Sequence, residues 1–347
     1  MRWNKLRIED DFAFEVGGSV SGIEVVYHTS DREYKAGDRV VWLCHALTAN
    51  SNPMDWWPEM VGKGCCIDPE KDYVVCVNIF ASPYGTTGPR DWAMRREGDE
   101  ARGERSPLDF PKVTVRDMAR LFPIVRKYIG IEKVDLLVGS SIGGFQALEW
   151  AILEPEVIER AAFIATAPRV TPWLGAWMES QRMAIEADPT FKACESLAGG
   201  QKGLEAARAL SLISYRTFDG YNLTQAEEDE DCLFAGRVAS YERYQDEKLV
   251  KRDFDAYSYY YLTWSVDSHN VGRKRGGVAE ALGEIKAKSV VITITSDGLF
   301  PPVEGREWAA WIPGAKYVEI ESKWGHDGFL LETEAIAERL EELRVKS

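Results

Sequence analysis

The stretch Val134–Trp150, VDLLVGSSIGGFQALEW, decides the fold. The run Lys133–Val138, which overlaps its start, is typical of a short buried strand, and Ile142–Leu153, which extends past its end, has the spacing of a helix. Between them, Gly139–Gly143 matches G-x-S-x-G around Ser141. The pattern alone is weak, but a strand directly before it and a helix directly after it are the setting of a sharp turn that presents the serine. We therefore predict a strained turn at Ser141, with the free N–H groups of the helix N-terminus pointing at it.

Other interpretations of this turn are less favoured. A phosphate-binding loop would need GxxxxGK[ST] or GxGxxG, and neither pattern is present here. Ser140 is a weaker nucleophile candidate than Ser141, because choosing it would put the glycines out of register. A glycine-rich turn with an incidental serine remains the structural alternative.

Similar apolar runs recur on both sides of this stretch, and helical patterns separate them. Continuous apolar strands separated by helices favour a mostly parallel sheet covered by helices on both faces, so the predicted class is α/β. The predicted strands are Arg39–Ala46, Tyr73–Phe80, Ala161–Ala165, Ser289–Thr295 and Tyr317–Ile320, and a further helix is predicted over Thr114–Tyr128.

The stretch from about Pro172 to Ile285 lacks buried-strand patterns and is rich in Glu, Arg, Ala, Tyr and Trp. We interpret it as a helical lid inserted into the core. The predicted organisation is therefore one core, residues 1–171 and 286–347, and one lid domain, residues 172–285.

The charge balance narrows the possible partners. The chain of 347 residues has 42 Lys+Arg and 56 Asp+Glu, a net charge of −14. Nucleic acid is therefore not expected as a partner, because phosphate contacts need clustered Lys and Arg. No membrane association is expected either, since no apolar run approaches the roughly 20 residues that span a bilayer. The six cysteines form no CxxC pair, which favours buried free thiols, a cytoplasmic location and no metal site.

A serine nucleophile needs a base, and the base needs an acid that orients it. The chain has four histidines, His28, His45, His269 and His326. In this strand–turn–helix setting the chain order is serine, acid, histidine, which excludes the first two. His269 lies in the predicted lid, whereas His326 follows a predicted core strand. Asp297 directly follows another predicted strand and precedes turn residues, so Ser141, Asp297 and His326 are the predicted triad. A turn-forming aspartate and a surface-loop histidine are the alternatives.

An acyl-transfer site also needs two N–H donors for the oxyanion of the tetrahedral intermediate. The residue after the nucleophile, Ile142, supplies one in this turn. We assign the other to Leu47, in the loop after the strand that ends near Cys44. His45 in the same loop is interpreted as a packing residue rather than a catalyst.

Together these motifs resemble the homoserine O-acetyltransferase family of the α/β-hydrolase superfamily. The matching segments appear in family order and span nearly the whole chain: CHALT (44–48), IDPEKDYVVCVN (67–78), YGTTGP (84–89), FPKVTVRDM (110–118), GSSIGGFQALEW (139–150), SDGLFPP (296–302) and GHDGFLLE (325–332). The chain departs from the family pattern around the oxyanion region, for example at Ala49–Asn50, where the family commonly has Gly-Asp.

The resemblance implies an α/β-hydrolase fold with a helical lid, and acyl transfer from acetyl-CoA to the side-chain hydroxyl of L-homoserine in methionine biosynthesis. From the predicted triad we expect a ping-pong reaction through an acyl-serine, with acetyl-CoA as a substrate and no bound cofactor. The resemblance also implies a homodimer built through lid helices. The family's nucleophile, acid and base fall on Ser141, Asp297 and His326. Its residue for the substrate amine falls on Asp327, and its carboxylate-binding arginine falls on Arg216.

Several alternatives remain at this point. Asp327 could cap the following helix, and Arg216 could be a structural ion-pair partner. The same triad could serve a homoserine O-succinyltransferase, a serine O-acyltransferase or a hydrolase of small esters or amides. A non-catalytic protein on the same fold is a further rival, because fold alone does not settle function. CoA is itself an anion, so an acidic protein is expected to bind it through a locally basic channel.

Overall fold

A twisted sheet of eight strands forms the centre of the molecule in a computed structural model, which describes residues 1–94, 106–194, 196–234 and 236–345. The strands lie in the order β1-β4-β6-β5-β7-β8-β9-β10. The pairs β1–β4 and β4–β6 are antiparallel, and all later neighbours are parallel. The strands are β1 (Arg2–Ile8), β4 (Ile23–Thr29), β5 (Val40–Cys44), β6 (Tyr73–Val77), β7 (Leu136–Ser140), β8 (Arg160–Ile164), β9 (Lys288–Ile294) and β10 (Lys316–Ile320), and β2 (Phe12–Ala13) pairs with β3 (Ser19–Val20) in a separate hairpin.

The central strands are buried on both faces, which explains their continuous apolar sequences. Every residue of β5, β6 and β7 is buried. Because successive side chains of a strand point to opposite faces, Trp42 joins one apolar cluster, whereas Val41 and Leu43 join another. The predicted α/β sheet covered on both faces is therefore confirmed.

Fourteen α-helices are assigned in the described residues. Those outside the region between β8 and β9 are α1 (Pro53–Trp56), α2 (Pro89–Met94), α3 (Val115–Ile129), α4 (Ile142–Leu153), α12 (Pro302–Ala309), α13 (Gly328–Leu331) and α14 (Thr333–Arg344). The others lie between these two strands: α5 (Pro172–Glu186), α6 (Pro189–Ala193), α7 (Gln201–Tyr215), α8 (Phe218–Gln225), α9 (Gly236–Lys251), α10 (Ala256–Asp267) and α11 (Val278–Gly283). We call residues 172–285 the helical segment; its division from the core as a lid domain stays a prediction.

Two further observations concern membrane spans and cysteines. No helix in the described residues combines the length and the apolar character needed to cross a membrane. All six cysteines are free, as predicted. Only Cys44 and Cys76 are fully buried, so the expectation of burial is wrong for the other four, of which Cys232 is exposed.

The two strands at one edge of the sheet, β1 and β4, were not predicted from the sequence. In β1, RWNKLRI, partly buried and exposed residues alternate. Such a strand has one solvated face, so it lacks the continuous apolar run by which the central strands were identified.

Close packing around the serine turn requires glycine at three positions. A Cβ on Gly139 would overlap the carbonyl oxygen of Gly143, and a Cβ on Gly143 would overlap the carbonyl oxygen of Cys44. A Cβ on Gly144 would overlap the side chain of Thr166. The start of α4 is therefore held against the ends of β5 and β8 at a distance that only glycine permits.

We expect Gly143→Ala to lower the free energy of unfolding by about 1–3 kcal/mol, because the new methyl group meets backbone that cannot rotate away. Gly175→Ala, in α5, is the matched control: its Cβ would meet nothing within 4 Å, so a gain of up to about 1 kcal/mol is expected. Urea unfolding of both variants measures this. Equal stability of the two variants would contradict the packing argument.

Candidate active site

Ser141 lies between the end of β7 and the start of α4, as predicted. Its backbone has φ 56° and ψ −128°, a conformation that L-residues rarely adopt. Two hydrogen bonds hold the turn: the Ser141 N–H donates to the Ile164 carbonyl at 3.0 Å, and the Thr166 hydroxyl donates to the Ser141 carbonyl at 2.9 Å. The adjacent strand β8 therefore holds the strained serine with its side chain partly open to solvent.

His326 reaches this serine from the loop after β10. Its Nε2 lies 2.9 Å from Ser141 Oγ, and its Nδ1 lies 2.7 Å from Asp297 Oδ2. Gly325 before it has φ 67°, and a Cβ there would lie 2.7 Å from the carbonyl oxygen of Tyr215. Glycine thus allows the histidine loop to pack directly against the end of α7. The structure brings all three predicted triad residues together.

Asp297 is fixed in a way that sets the proton positions of the histidine. Its Oδ1 accepts hydrogen bonds from the N–H groups of Leu299 at 2.8 Å and Phe300 at 3.0 Å. Oδ2 is then left to accept from Nδ1–H of His326, so that Nε2 is an acceptor facing the Ser141 hydroxyl. Both Asp297 and His326 are 3% exposed. The arrangement can therefore take a proton from the serine in a site with little water.

Aromatic side chains surround the His326 ring. Phe300 and Phe329 lie with ring centroids 5.2 Å from it, and Tyr215 lies at 5.7 Å. These contacts restrict the ring to the orientation that its two hydrogen bonds require. Tyr215 comes from α7, so the helical segment forms part of the wall of the site.

The loop with the second predicted oxyanion donor lies beside the turn. Strand β5 pairs with β7 so that Cys44 is opposite Gly139, which places the loop after Cys44 next to the start of α4. Ile142 is the first residue of α4, where backbone N–H groups have no partner within the helix. The positions fit the prediction that Leu47 and Ile142 supply the N–H donors, which stays a prediction.

His45 fastens this loop. The Ile79 N–H donates to its Nε2 at 3.2 Å, so Nδ1 carries the proton and donates to the Ala46 carbonyl at 2.8 Å. Complete burial lowers the pKa of His45 to about 4. The residue is therefore neutral at physiological pH, in line with the packing role expected for it.

The other two histidines have hydrogen-bond partners outside the triad. His28 Nδ1 is 2.7 Å from the Ser51 hydroxyl. His269 is stacked on Phe145, with ring centroids 3.9 Å apart, and its Nε2 is 2.9 Å from the Ala167 carbonyl. Burial lowers the pKa of His269 to about 3, so its ring is uncharged near neutral pH.

The two predicted substrate-binding residues contact each other. Arg216 Nε lies 3.2 Å from Asp327 Oδ2, and both side chains are between one fifth and one third exposed. The Arg216 guanidinium also lies 5.1 Å from the ring centroid of Tyr241. Asp327 makes no capping hydrogen bond to the helix that follows it. Because Asp327 directly follows His326, the pair borders the histidine.

Thr166 and Phe300 were not identified from the sequence. Thr166 follows β8 by two residues, and the carboxyl ends of neighbouring parallel strands meet at one edge of the sheet. That position is the signal that could have indicated a contact with the serine turn. Phe300 lies three residues after Asp297, but nothing in the sequence specifies that its ring faces the histidine.

Among the described residues, no group of three or more His, Cys, Asp or Glu is arranged to hold a metal ion.

We expect a fluorophosphonate probe, which reacts with activated serine hydroxyls, to modify the wild-type chain once, at Ser141. Ser141→Ala should abolish labelling, because no other hydroxyl in the described part of the chain is hydrogen-bonded to His326. Ser140→Ala is the matched control: the Ser140 hydroxyl is buried and has no hydrogen-bond partner in the described structure, so its removal should leave labelling unchanged. Mass spectrometry of the labelled peptide measures this, and a label that persists in Ser141→Ala would contradict the assignment.

Comparison with known proteins agrees with the fold and the motifs. A family profile described as the alpha/beta hydrolase fold matches residues 39–333. A homoserine O-acetyltransferase of Cyclobacterium marinum is 38% identical over 331 residues, which cover 94% of this chain and 91% of the relative. Among solved structures, the homoserine O-acetyltransferase from Bacillus anthracis has a TM-score of 0.88 at 22% identity, covering 100% of this chain and 98% of that one. Esterase E22 has a TM-score of 0.86 at 21% identity, covering 99% of this chain and 100% of that one; at such identities the structures show the fold alone. With its relatives matched over nearly their full length, the chain belongs to the homoserine O-acetyltransferase family within the α/β-hydrolase fold.

Proposed function

We propose that this protein transfers an acetyl group from acetyl-CoA to the hydroxyl of L-homoserine, through an acyl-serine on Ser141. The observation that carries the proposal is the hydrogen-bonded series Ser141–His326–Asp297, with 2.9 Å and 2.7 Å between the heavy atoms. It supplies a nucleophile, a base and an orienting acid. The names of the curated relatives support the choice of donor and acceptor.

In the first half of the reaction, His326 Nε2 takes the proton of Ser141 as Oγ attacks the thioester carbonyl carbon. The N–H groups of Leu47 and Ile142 stabilise the oxyanion. The carbon–sulfur bond then breaks, and His326 returns the proton to the departing thiolate. The products are CoA and an ester on Ser141, with the histidine neutral again.

In the second half, the hydroxyl of homoserine takes the place of the thiol. His326 removes its proton, the oxygen attacks the ester carbonyl, and the proton passes to Ser141 as its oxygen leaves. Water could attack the same ester, so transfer depends on excluding it. The buried histidine and the aromatic side chains around it favour this, and we assign the lid role to the helical segment that supplies Tyr215.

The Arg216–Asp327 pair suits an amino-acid acceptor. Homoserine carries one ammonium and one carboxylate, so Asp327 can bind the first and Arg216 the second. Without substrate the two charged side chains pair with each other, and with substrate each is matched by one group of the acceptor. An acceptor with both groups is therefore bound without leaving either charge unpaired.

The test is to incubate the protein with acetyl-CoA, with and without homoserine, and to identify the products by mass spectrometry. We expect homoserine to accelerate CoA release and to yield O-acetylhomoserine. Succinyl-CoA and serine, in place of the donor and the acceptor, should react more slowly. Acetate formation at the same rate with and without homoserine would overturn the proposal in favour of a hydrolase.

We expect two acceptor analogues to separate the roles of the charged pair. 4-Hydroxybutanoate lacks the amine of homoserine, and 3-amino-1-propanol lacks its carboxylate. Asp327→Asn should lower kcat/KM for homoserine at least about tenfold but should change kcat/KM for 4-hydroxybutanoate little. Arg216→Gln should lower kcat/KM for homoserine to a similar extent but should change kcat/KM for 3-amino-1-propanol little. These assignments would be contradicted if Asp327→Asn lowered kcat/KM equally for homoserine and 4-hydroxybutanoate, or if Arg216→Gln lowered it equally for homoserine and 3-amino-1-propanol.

We also propose a homodimer formed through the helical segment. Large apolar side chains are unusually exposed there: Phe218 is 82%, Leu223 59%, Leu233 89% and Phe234 83% exposed. Large apolar side chains that are exposed in one part of a chain indicate a candidate interaction site. Sedimentation velocity should give twice the chain mass of 39.1 kDa, and Phe234→Glu should shift the protein toward the single-chain mass. A wild-type protein that sediments as a single chain at micromolar concentration would contradict the dimer.

A further inference from the structure

A cavity of about 400 Å³ adjoins the loop that follows β5. We call it the loop cavity; its lining includes Thr48, Ala49, Asn50, Trp56, Tyr84 and Arg252. Most of these residues follow strands β5 and β6 at the carboxyl edge of the sheet, the edge at which ligands bind in open α/β sheets. Arg252 directly follows α9, so the cavity lies between the core loops and the helical segment.

The loop cavity adjoins the loop that holds the predicted second oxyanion donor. Thr48 directly follows Leu47, the predicted second oxyanion donor, and the same loop is fastened by His45. A thioester whose carbonyl oxygen meets the Leu47 N–H has its sulfur one bond from the reacting carbon. The remainder of the donor molecule can therefore leave the site past this loop.

The lining offers three kinds of contact. Arg252 is exposed and forms no ion pair with another described residue; its charge reaches Tyr84, where it opposes the rise in pKa that burial causes. Trp56 stacks one ring face on Trp57, with centroids 5.5 Å apart, and lines the cavity with its half-buried side chain. Asn50 adds an amide group that can both donate and accept hydrogen bonds.

One carboxylate, Asp55, also lines the cavity. Its oxygens accept hydrogen bonds from Asn50 Nδ2 at 3.3 Å and from Asn52 Nδ2 at 2.8 Å. It would repel a phosphate placed beside it but can accept from an amide N–H. The cavity therefore fits a ligand that carries both phosphate and amide groups better than a simple anion.

Building on the proposed function, we infer that the loop cavity binds the phosphorylated, amide-containing arm of the acyl-CoA donor, with Arg252 contacting a phosphate and Trp56 packing on the amide arm. Arg252 supplies a local positive charge on a protein whose net charge of −14 by itself repels an anionic donor. The assignment separates donor binding, at the loop cavity, from acceptor binding, at Arg216 and Asp327.

The test compares three acetyl donors with homoserine as acceptor: acetyl-CoA, acetyl-pantetheine, which lacks phosphates, and S-acetyl-N-acetylcysteamine, which lacks most of the arm. Arg252→Gln should raise KM about tenfold for acetyl-CoA only, with kcat unchanged. Trp56→Leu should raise KM for acetyl-CoA and acetyl-pantetheine but not for the shortest donor, whose unchanged rate also reports an intact fold.

Arg339→Gln is the charge-matched control, because Arg339 lies in α14 and pairs with Glu338 and Glu342; its KM values should equal those of the wild type. A KM for acetyl-CoA that is unchanged in Arg252→Gln, or raised equally for all three donors, would overturn the inference while leaving the acyltransferase proposal intact. A wild-type protein that transfers acetyl from none of the donors would instead overturn the proposed function.

Discussion

The close approach of the α4 N-terminus to the end of β5 is the constraint on which the rest of the structure depends. The space that a side chain at Gly143 would need is occupied by the Cys44 carbonyl, so helix and strand can meet only because this residue is glycine. The contact forces the chain at Ser141 into φ 56°, a conformation that costs on the order of 1–3 kcal/mol. The neighbouring strands maintain this conformation: Ile164 at the end of β8 and Thr166 after it hydrogen-bond to the Ser141 backbone on one side, and the loop after β5 lies on the other.

The parallel arrangement of these strands explains why residues far apart in the sequence form one site. Parallel strands end at the same edge of the sheet, so the turns after β5, β7, β9 and β10 lie side by side. Each contributes one part: the Leu47 loop, Ser141, Asp297 and His326. The helical segment contributes Tyr215, one of the three aromatic rings around His326, and Arg216, the partner of Asp327. Core and helical residues therefore meet around the histidine.

Most of the core and of the triad could be predicted from the sequence because both depend on local patterns. Buried parallel strands have continuous apolar runs, and the serine turn needs small residues at fixed spacing. The edge strand β1 lacks such a run and was missed. The contact of Arg216 with Asp327 spans 111 residues, and no local pattern specifies it; the sequence suggested a role for each but not their pairing. The packing of Phe300 on His326 was likewise beyond prediction, because it depends on how one loop folds over another.

The central claim, that Ser141 carries the acyl group between two substrates, is tested most directly by trapping the protein after mixing with acetyl-CoA alone. Rapid acid quenching and mass spectrometry should reveal one acetyl group on the peptide that contains Ser141, and homoserine added before the quench should remove it as O-acetylhomoserine at the rate of turnover. Product formation at the normal rate, with no acetyl group on the protein at any time, would contradict the account.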